Sequence, residues 1–148
     1  MSKLLRPDLV TLLQKLAVSP FRPSEILALI VELAEYERSA HEVRTTVEQL
    51  TSLLFGGTPE APGVASTTPH GTPAAYAHVV EHADAGNGAR LGGFALWFLN
   101  TSTWTGTHGV YLEDLYVRPA LRGTGYGKRL LATLAQVCLD RGYRRLEW

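Results

Sequence analysis

Hydrophobic and polar positions divide the C-terminal third of the chain into a strand, a turn, a helix and a second strand. From Tyr111 to Val117 aromatic and apolar residues dominate, which is typical of a largely buried strand, and Pro119 ends it. In the range 128–141 apolar residues recur at helical spacing, and Gly142 is placed to cap that helix. Residues 145–148 predict the opening of a second strand, which the crossover rule makes parallel to the first.

The same pattern predicts two helices in the N-terminal half. The first covers Ser24–Arg38, with an apolar stripe along one side and Ser24 as its N-cap. The second covers Thr45–Phe55, where a capping box can begin at Thr45 or at Thr46, and the pattern leaves both open. Before these helices, periodicity does not decide whether Leu9–Val18 is a strand or a short helix.

Two further strands are predicted between those halves. Ala75–His82 is a strand candidate, a turn follows over Asp84–Gly88, and Leu91–Asn100 is strongly apolar. A connection from Asn100 to Gly109 then leads to the last of these strands. Residues 56–73 are rich in Gly, Pro, Ser and Thr, and predict a flexible surface loop rather than a domain linker, because the next strand needs the rest of the sheet to bury it.

Composition and charge restrict the class of protein. The chain has 148 residues, of which 45% are hydrophobic, so residues 1–148 predict one domain with a real core. Its 14 basic and 14 acidic residues balance, which argues against nucleic acid or an anionic membrane as a partner. The single cysteine, Cys138, excludes an internal disulfide and is expected to be a buried, inert thiol. Without a membrane-length apolar run or a signal-peptide core in residues 1–20, we expect a cytoplasmic protein.

The turn Arg122–Gly127 has the composition of an anion site. Its three glycines allow a ligand to approach the backbone closely, and the free amides at the start of the next helix favour an anion such as a phosphate. A P-loop requires Ser or Thr after its lysine, whereas Arg129 follows Lys128. A dinucleotide fingerprint requires G-x-G-x-x-G, whereas this turn contains G-x-G-x-G. A nucleotide-dependent enzyme is therefore disfavoured, and a plain tight connection is the structural alternative.

The turn fits the pattern Arg-x-x-Gly-x-Gly, which resembles the acetyl-CoA signature of the GNAT superfamily of N-acetyltransferases. Three other stretches support the match: YLEDLYVRP before the turn, ELAEYE at Glu32–Glu37, and GFAL at Gly93–Leu96 followed at a distance by Trp104. Together they are similar to the diamine (spermidine/spermine or thialysine) acetyltransferase branch, over roughly residues 26–148. The resemblance implies an α/β (α+β) fold, with a mixed, mostly antiparallel sheet flanked by helices.

The resemblance also implies that the chain uses acetyl-CoA as a co-substrate. The backbone of Leu115 and Val117 is expected to pair with the pantetheine arm, and the turn with Arg122 and Lys128 is expected to hold the pyrophosphate. The cofactor-binding residues so implied are Leu115, Tyr116, Val117, Arg122, Gly123, Thr124, Gly125, Tyr126, Gly127 and Lys128. No metal is implied, and His70 has no metal-like partner at a suitable spacing.

The acceptor of the resembled branch is a small amine, and its protonation is the chief obstacle to acetylation. An alkylammonium with a pKa of about 10.4 is almost wholly charged at pH 7, and deprotonating it costs about 4–5 kcal/mol. The site must therefore accept a proton, directly or through water. Glu113 is the candidate base, because it lies on the strand that leads into the turn and matches the glutamate with that role in the resembled enzymes. A purely structural carboxylate is the alternative.

Further residues are predicted to bind the amine. Glu32, Glu35 and Tyr36 share one helix face, which borders the amine site in the resembled family, although a solvated helix face is the alternative. Asp114 would point away from Glu113 in a regular strand, but the β-bulge that the resembled fold carries here changes that phase, so Asp114 is assigned to substrate binding. Trp104 lies in a loop and is predicted either to wall the substrate site or to pack in the core.

The resemblance sets expectations for the whole chain as well. It implies a homodimer, and N-acetyltransferase activity toward a di- or polyamine or an amino-acid-like amine. The alternative is a non-catalytic CoA-binding or regulatory module. In the resembled family the strand that starts near Arg145 continues and is followed by a helix carrying a tyrosine and by two more strands. The domain is therefore expected to be incomplete at its C-terminus, with weak or absent activity of its own.

Overall fold

The structure is a computed structural model that describes residues 23–57, 65–82, 86 and 88–148. The described chain forms a four-stranded sheet with helices on both faces. The strands are β1 (Tyr76–Glu81), β2 (Leu91–Ser102), β3 (Thr107–Val117) and β4 (Leu146–Glu147), and the helices are α1 (Pro23–Tyr36), α2 (Val47–Phe55) and α3 (Tyr126–Arg141). The strands lie in sequence order, with β1–β2 and β2–β3 antiparallel and β3–β4 parallel. The predicted mixed, mostly antiparallel sheet flanked by helices is confirmed.

Two hydrophobic cores lie on opposite faces of the sheet, and β2 contributes to both. Phe94 on β2 packs with α1 and α2, whereas Ala95 and Trp97 pack with α3. Because helices cover both faces, the seven residues from Leu91 to Trp97 are all buried, which explains the uninterrupted apolar run in the sequence. Cys138 on α3 belongs to the second core, where burial raises the pKa of its thiol, as expected for an inert cysteine.

The helix boundaries follow local chemistry with one correction. Helix α1 begins at Pro23, so the prediction of Ser24 as N-cap is wrong; proline, with its fixed φ, is favoured at the first helical position. Helix α2 confirms the second of the two capping boxes, because the Thr46 side chain accepts from the amide of Gln49 and the Gln49 side chain accepts from the amide of Thr46. Gly142 ends α3 in the left-handed region, with φ 69°, as predicted.

The hairpin between β2 and β3 is longer than the sequence predicts. The predicted connection from Asn100 to Gly109 is wrong, because Asn100, Thr101 and Ser102 pair with Gly109, His108 and Thr107. Only residues 103–106 form the turn. Apart from the buried Gly109, these paired positions are polar and half-buried or exposed, so hydrophobic periodicity carries no signal for them.

Some predictions lie outside the described residues. They are the segment containing Leu9–Val18, the middle of the loop predicted for residues 56–73 and most of the turn at Asp84–Gly88. Within the residues that are described, no helix has both the length and the apolar character needed to span a bilayer.

Candidate functional site

A cavity of about 520 Å³ opens where β3 ends and α3 begins. It is lined by one residue pair from α1, by the end of β3 and by the glycine turn: Leu33, Tyr36, Leu115, Tyr116, Val117, Leu121, Arg122, Gly123, Gly125, Tyr126, Gly127 and Lys128. All of the residues predicted to bind the cofactor are therefore in the lining, except Thr124. The Thr124 hydroxyl instead donates to the carbonyl of Leu121 at 2.6 Å, and so helps to close the turn.

The glycine turn leaves room for a ligand at its backbone. Gly123 and Gly125 have φ of 80° and 88°, in the left-handed region that side chains disfavour. A Cβ added at Gly123, Gly125 or Gly127 would meet no other atom within 4 Å, so the space beside each is open. The first intrahelical bond of α3 runs from the amide of Arg129 to the carbonyl of Gly125, which leaves the three preceding amides without an intrahelical partner. Such a helix start suits a phosphate group.

Arg122 lines this cavity, and its side chain contacts three other residues of the lining. Its Nε donates to the carbonyl of Val117 at 2.9 Å. Its guanidinium carbon lies 4.8 Å from the centre of the Tyr36 ring and 5.6 Å from the centre of the Tyr116 ring. Arg122 and Lys128 are both exposed and contribute positive charge on two sides of the turn.

An ion pair joins α1 to the end of β3 beside the cavity. The guanidinium of Arg118 binds the carboxylate of Glu32 through two nitrogens, with Nη2–Oε1 at 2.7 Å and Nε–Oε2 at 3.0 Å. Burial, and then the Glu32 carboxylate, raise the pKa of the neighbouring Tyr116. The sequence predicts that Glu32 binds the amine. In the structure its carboxylate is already paired with Arg118.

The expected β-bulge on β3 is present and falls at Glu113. Leu96 pairs with Asp114, the next residue Trp97 pairs with Leu112, and Glu113 has no partner on β2. The bulge reverses the alternation of β3. Before it, Leu112 packs into the core under α3; after it, Tyr116 packs into the core under α1. Asp114, two residues before Tyr116 in regular pairing, therefore faces the α1 side.

The two adjacent acids differ in environment. Glu113 is exposed, whereas Asp114 is half-buried. Burial, together with the carboxylates of Glu113 and then Glu37, raises the pKa of Asp114 to about 6. Sequence reasoning missed Glu37, which lies just beyond the end of α1, because its approach to β3 is a tertiary contact with no local pattern. A near-neutral pKa on an acid beside a cavity is a frequent property of functional sites.

The remaining predicted amine-binding residues are placed in different regions. Glu35 is exposed on α1, and Tyr36 is 67% exposed with its ring at the cavity. Trp104 is 98% exposed in the turn between β2 and β3, so the alternative of core packing is wrong. Leu115 lies eight residue steps along β3 from the hairpin end at Thr107, which is about 26 Å at the rise of a strand. Within one chain, Trp104 is therefore remote from the cavity.

Residues 32–148 match the acetyltransferase (GNAT) family. A thialysine N-epsilon-acetyltransferase of Bos taurus is 35% identical over 121 residues, which cover 82% of this chain and 64% of that protein. An L-ornithine N5-acetyltransferase of Arabidopsis thaliana is 30% identical over 146 residues, covering 81% and 64% respectively. The chain thus spans less than two thirds of the length of these relatives.

The fold has solved counterparts. The crystal structure of the aminoglycoside acetyltransferase meta-AAC0020, from an uncultured soil metagenomic sample, superposes with a TM-score of 0.63 at 14% identity. The superposition covers 88% of this chain and 73% of that one. At such low identity the likeness supports the fold alone.

Proposed function

Since the chain belongs to the GNAT acetyltransferase family, we propose that it transfers an acetyl group from acetyl-CoA to a primary amine of a small di- or polyamine or of an amino-acid-like amine. One observation carries the proposal. Strand β3 leads from two adjacent carboxylates, Glu113 and Asp114, directly into the cavity at the glycine turn. The relatives support the class of acceptor, because thialysine and ornithine are both small molecules that carry primary amines.

The cavity suits acetyl-CoA, which supplies an acetyl thioester that an amine can attack. The amides of the first turn of α3, which have no intrahelical partner, and the open space at Gly125 and Gly127 fit a pyrophosphate. Arg122 and Lys128 would neutralise its charge. Leu115, Tyr116 and Val117 line the same cavity and are proposed to hold the pantetheine arm. Thr124 would contribute only indirectly, because its hydroxyl bonds to the carbonyl of Leu121 and helps to close the turn.

On the acceptor side, the protein has to attract an ammonium group and then accept its proton. Glu113 is exposed on the bulge, where it can take a proton from an amine and exchange it with water. Asp114 beside it is mostly ionised above about pH 6, and then adds negative charge. We assign Glu113 as the base and Asp114 as a carboxylate that binds the amine, and we propose Glu35, which is exposed on α1, as a further acid for the amine.

The proposal is tested by the release of free CoA over a panel of small amines. Glu113→Gln should lower kcat/KM for the best amine about a hundredfold or more at neutral pH, because it removes the proton acceptor but keeps the size of the side chain. Its Kd for acetyl-CoA should equal that of the original chain. Asp140→Asn, which changes an exposed carboxylate on α3 outside this cavity, is the matched control and should keep full activity. Full activity of Glu113→Gln would overturn the assignment of the base.

A non-catalytic CoA-binding or regulatory module is the second candidate. It is favoured by one observation, that the glycine turn and the start of α3, which suit the cofactor, are a different part of the chain from Glu113 and Asp114. It predicts that acetyl-CoA binds but that no amine in the panel releases CoA. Tight binding of ATP or NAD in preference to CoA would contradict both candidates.

We also propose that the chain forms a homodimer, as the resemblance implies. Light scattering across a concentration series measures this directly, and a mass of one chain at all concentrations would contradict it.

A further inference from the structure

Tyr36 is an exposed aromatic residue that core packing does not explain. It is the last residue of α1, its side chain is 67% exposed, and it belongs to neither hydrophobic core. Its ring contacts the guanidinium of Arg122, whose central carbon lies 4.8 Å from the ring centre. Exposed aromatic rings of this kind are commonly used to hold a planar cation.

Arg122 is held at two further points. Its Nε donates to the carbonyl of Val117 at 2.9 Å, and the buried ring of Tyr116 lies 5.6 Å from its guanidinium carbon. Among the residues that the structure describes, no hydrogen bond is made by either of its terminal NH₂ groups. The Arg122 side chain, which carries these two NH₂ groups, lines the same cavity as Gly125 and Lys128.

We propose that Tyr36 is a positioning residue for the cofactor, acting through Arg122. The inference rests on the proposed function. The ring of Tyr36 and the carbonyl of Val117 fix the plane of the guanidinium and occupy its Nε, which leaves the paired NH₂ groups available for a phosphate. A flexible arginine loses side-chain freedom when it binds an anion, and an arginine that is already ordered loses less. Tyr36 thus raises affinity for the cofactor, and not for the amine as its helix face alone suggested.

The position of Tyr36 is itself fixed by the fold. One helical turn earlier on α1, Glu32 forms its two-nitrogen ion pair with Arg118, with the shortest contact at 2.7 Å. The amide of Arg118 in turn donates to the carbonyl of Gly92 on β2 at 2.9 Å. The end of α1 is therefore anchored to the sheet beside the turn, so that the ring of Tyr36 and the side chain of Arg122 meet at a defined place.

The experiment is a double-mutant cycle on acetyl-CoA affinity, measured by calorimetry on the full chain. Tyr36→Leu should weaken binding about two- to fivefold, the range of an exposed cation–π contact, whereas Tyr36→Phe keeps the ring face and should change the Kd less than about 1.5-fold. In the background Arg122→Gln, Tyr36→Leu should have no further effect, because the residue through which it acts is absent. The KM for the amine should be the same in Tyr36→Leu and in the original chain.

The outcomes distinguish a failure of the proposed function from a failure of the positioning role of Tyr36. If the original chain does not bind acetyl-CoA, the proposed function itself fails. If it binds, and Tyr36→Leu has the same effect with and without Arg122, or raises the KM of the amine instead of the Kd of acetyl-CoA, the positioning role is overturned while the function stands. Urea unfolding verifies that the variants are folded. If Tyr36→Leu aggregates, Tyr36→Gln replaces it in the cycle, since glutamine is a good helix former without a ring.

Discussion

The carboxyl of Asp114 shows how a single residue depends on what surrounds it. It is half-buried, faces the α1 side because of the bulge, and lies near Glu113 and Glu37, so its pKa rises to about 6. At neutral pH it is mostly ionised, at an energetic cost to the folded chain. A bound ammonium group would offset that cost, so the same features that destabilise the empty site favour a cationic acceptor.

This predicts a pH-dependent stability that Asp114→Asn removes. The pKa of Asp114 is about 6 in the folded chain and near 3.8 in the unfolded chain, so the folded state holds the proton more tightly. Its stabilising contribution is complete below about pH 3.8 and is lost as the pH rises through about 6. Relative to the original chain, Asp114→Asn should therefore gain more stability at pH 7.5 than at pH 4.5. Urea midpoints at both pH values measure this, and an equal difference at both would contradict it.

At the scale of elements, the glycine turn combines a left-handed backbone, which glycine adopts without strain, with open space. Gly125 and Gly142 lie at the two ends of α3 and both have left-handed φ, 88° and 69°. Neither has an atom within 4 Å of an added Cβ, but only Gly125 lines the cavity. Substitutions at these two glycines can therefore distinguish the need for a left-handed backbone from the need for space beside a ligand.

We predict that Gly125→Val weakens acetyl-CoA binding at least tenfold and leaves the fold intact, because the side chain would fill the space at the turn. Gly142→Val is the matched control. Both variants should lose about 1–2 kcal/mol of stability from a strained left-handed residue, but Gly142→Val should keep the original Kd. Calorimetry and urea unfolding give the two quantities. An unchanged Kd for Gly125→Val would show that the turn is only a connection.

At the scale of the whole molecule, the ion pair of Glu32 and Arg118 joins residues 86 positions apart and ties α1 to the end of β3. We predict that Glu32→Gln lowers the free energy of unfolding by about 1–3 kcal/mol, because it leaves a half-buried arginine without its counter-charge. Glu35→Gln, on the exposed side of the same helix, should change it by less than about 0.5 kcal/mol. Equal unfolding midpoints for both variants would show that the pair does not hold the molecule together.

The sequence predicted the sheet, the helices and most of the cavity lining because those features have local signals. Each of these signals is contained in a short stretch of sequence: the helical spacing of apolar residues, the capping Gly142 and the Arg-x-x-Gly-x-Gly turn. It did not predict that Glu32 is paired with Arg118 or that Glu37 lies near Asp114, since both contacts join distant segments. The end of β2 was missed for a different reason: its polar residues are held by pairing with β3 and not by burial. The roles of Glu113, Asp114 and Trp104 stay predictions.

The bulge at Glu113 has a consequence for changes in chain length. In a regular strand, an even number of steps returns a side chain to the same face, yet Val110 and Tyr116 lie on opposite faces of the sheet. Because the bulge adds one residue to β3, the six steps from Val110 to Tyr116 correspond to only five steps along β2, and an odd number of steps changes the face. Deleting Glu113 would therefore remove the bulge and leave Asp114 and Tyr116 on their present face, because Leu112 and Asp114 already pair with consecutive residues of β2. Deleting Leu115 would instead move Tyr116 to the α3 side, so we expect the strand to tolerate a deletion at the bulge and not beyond it.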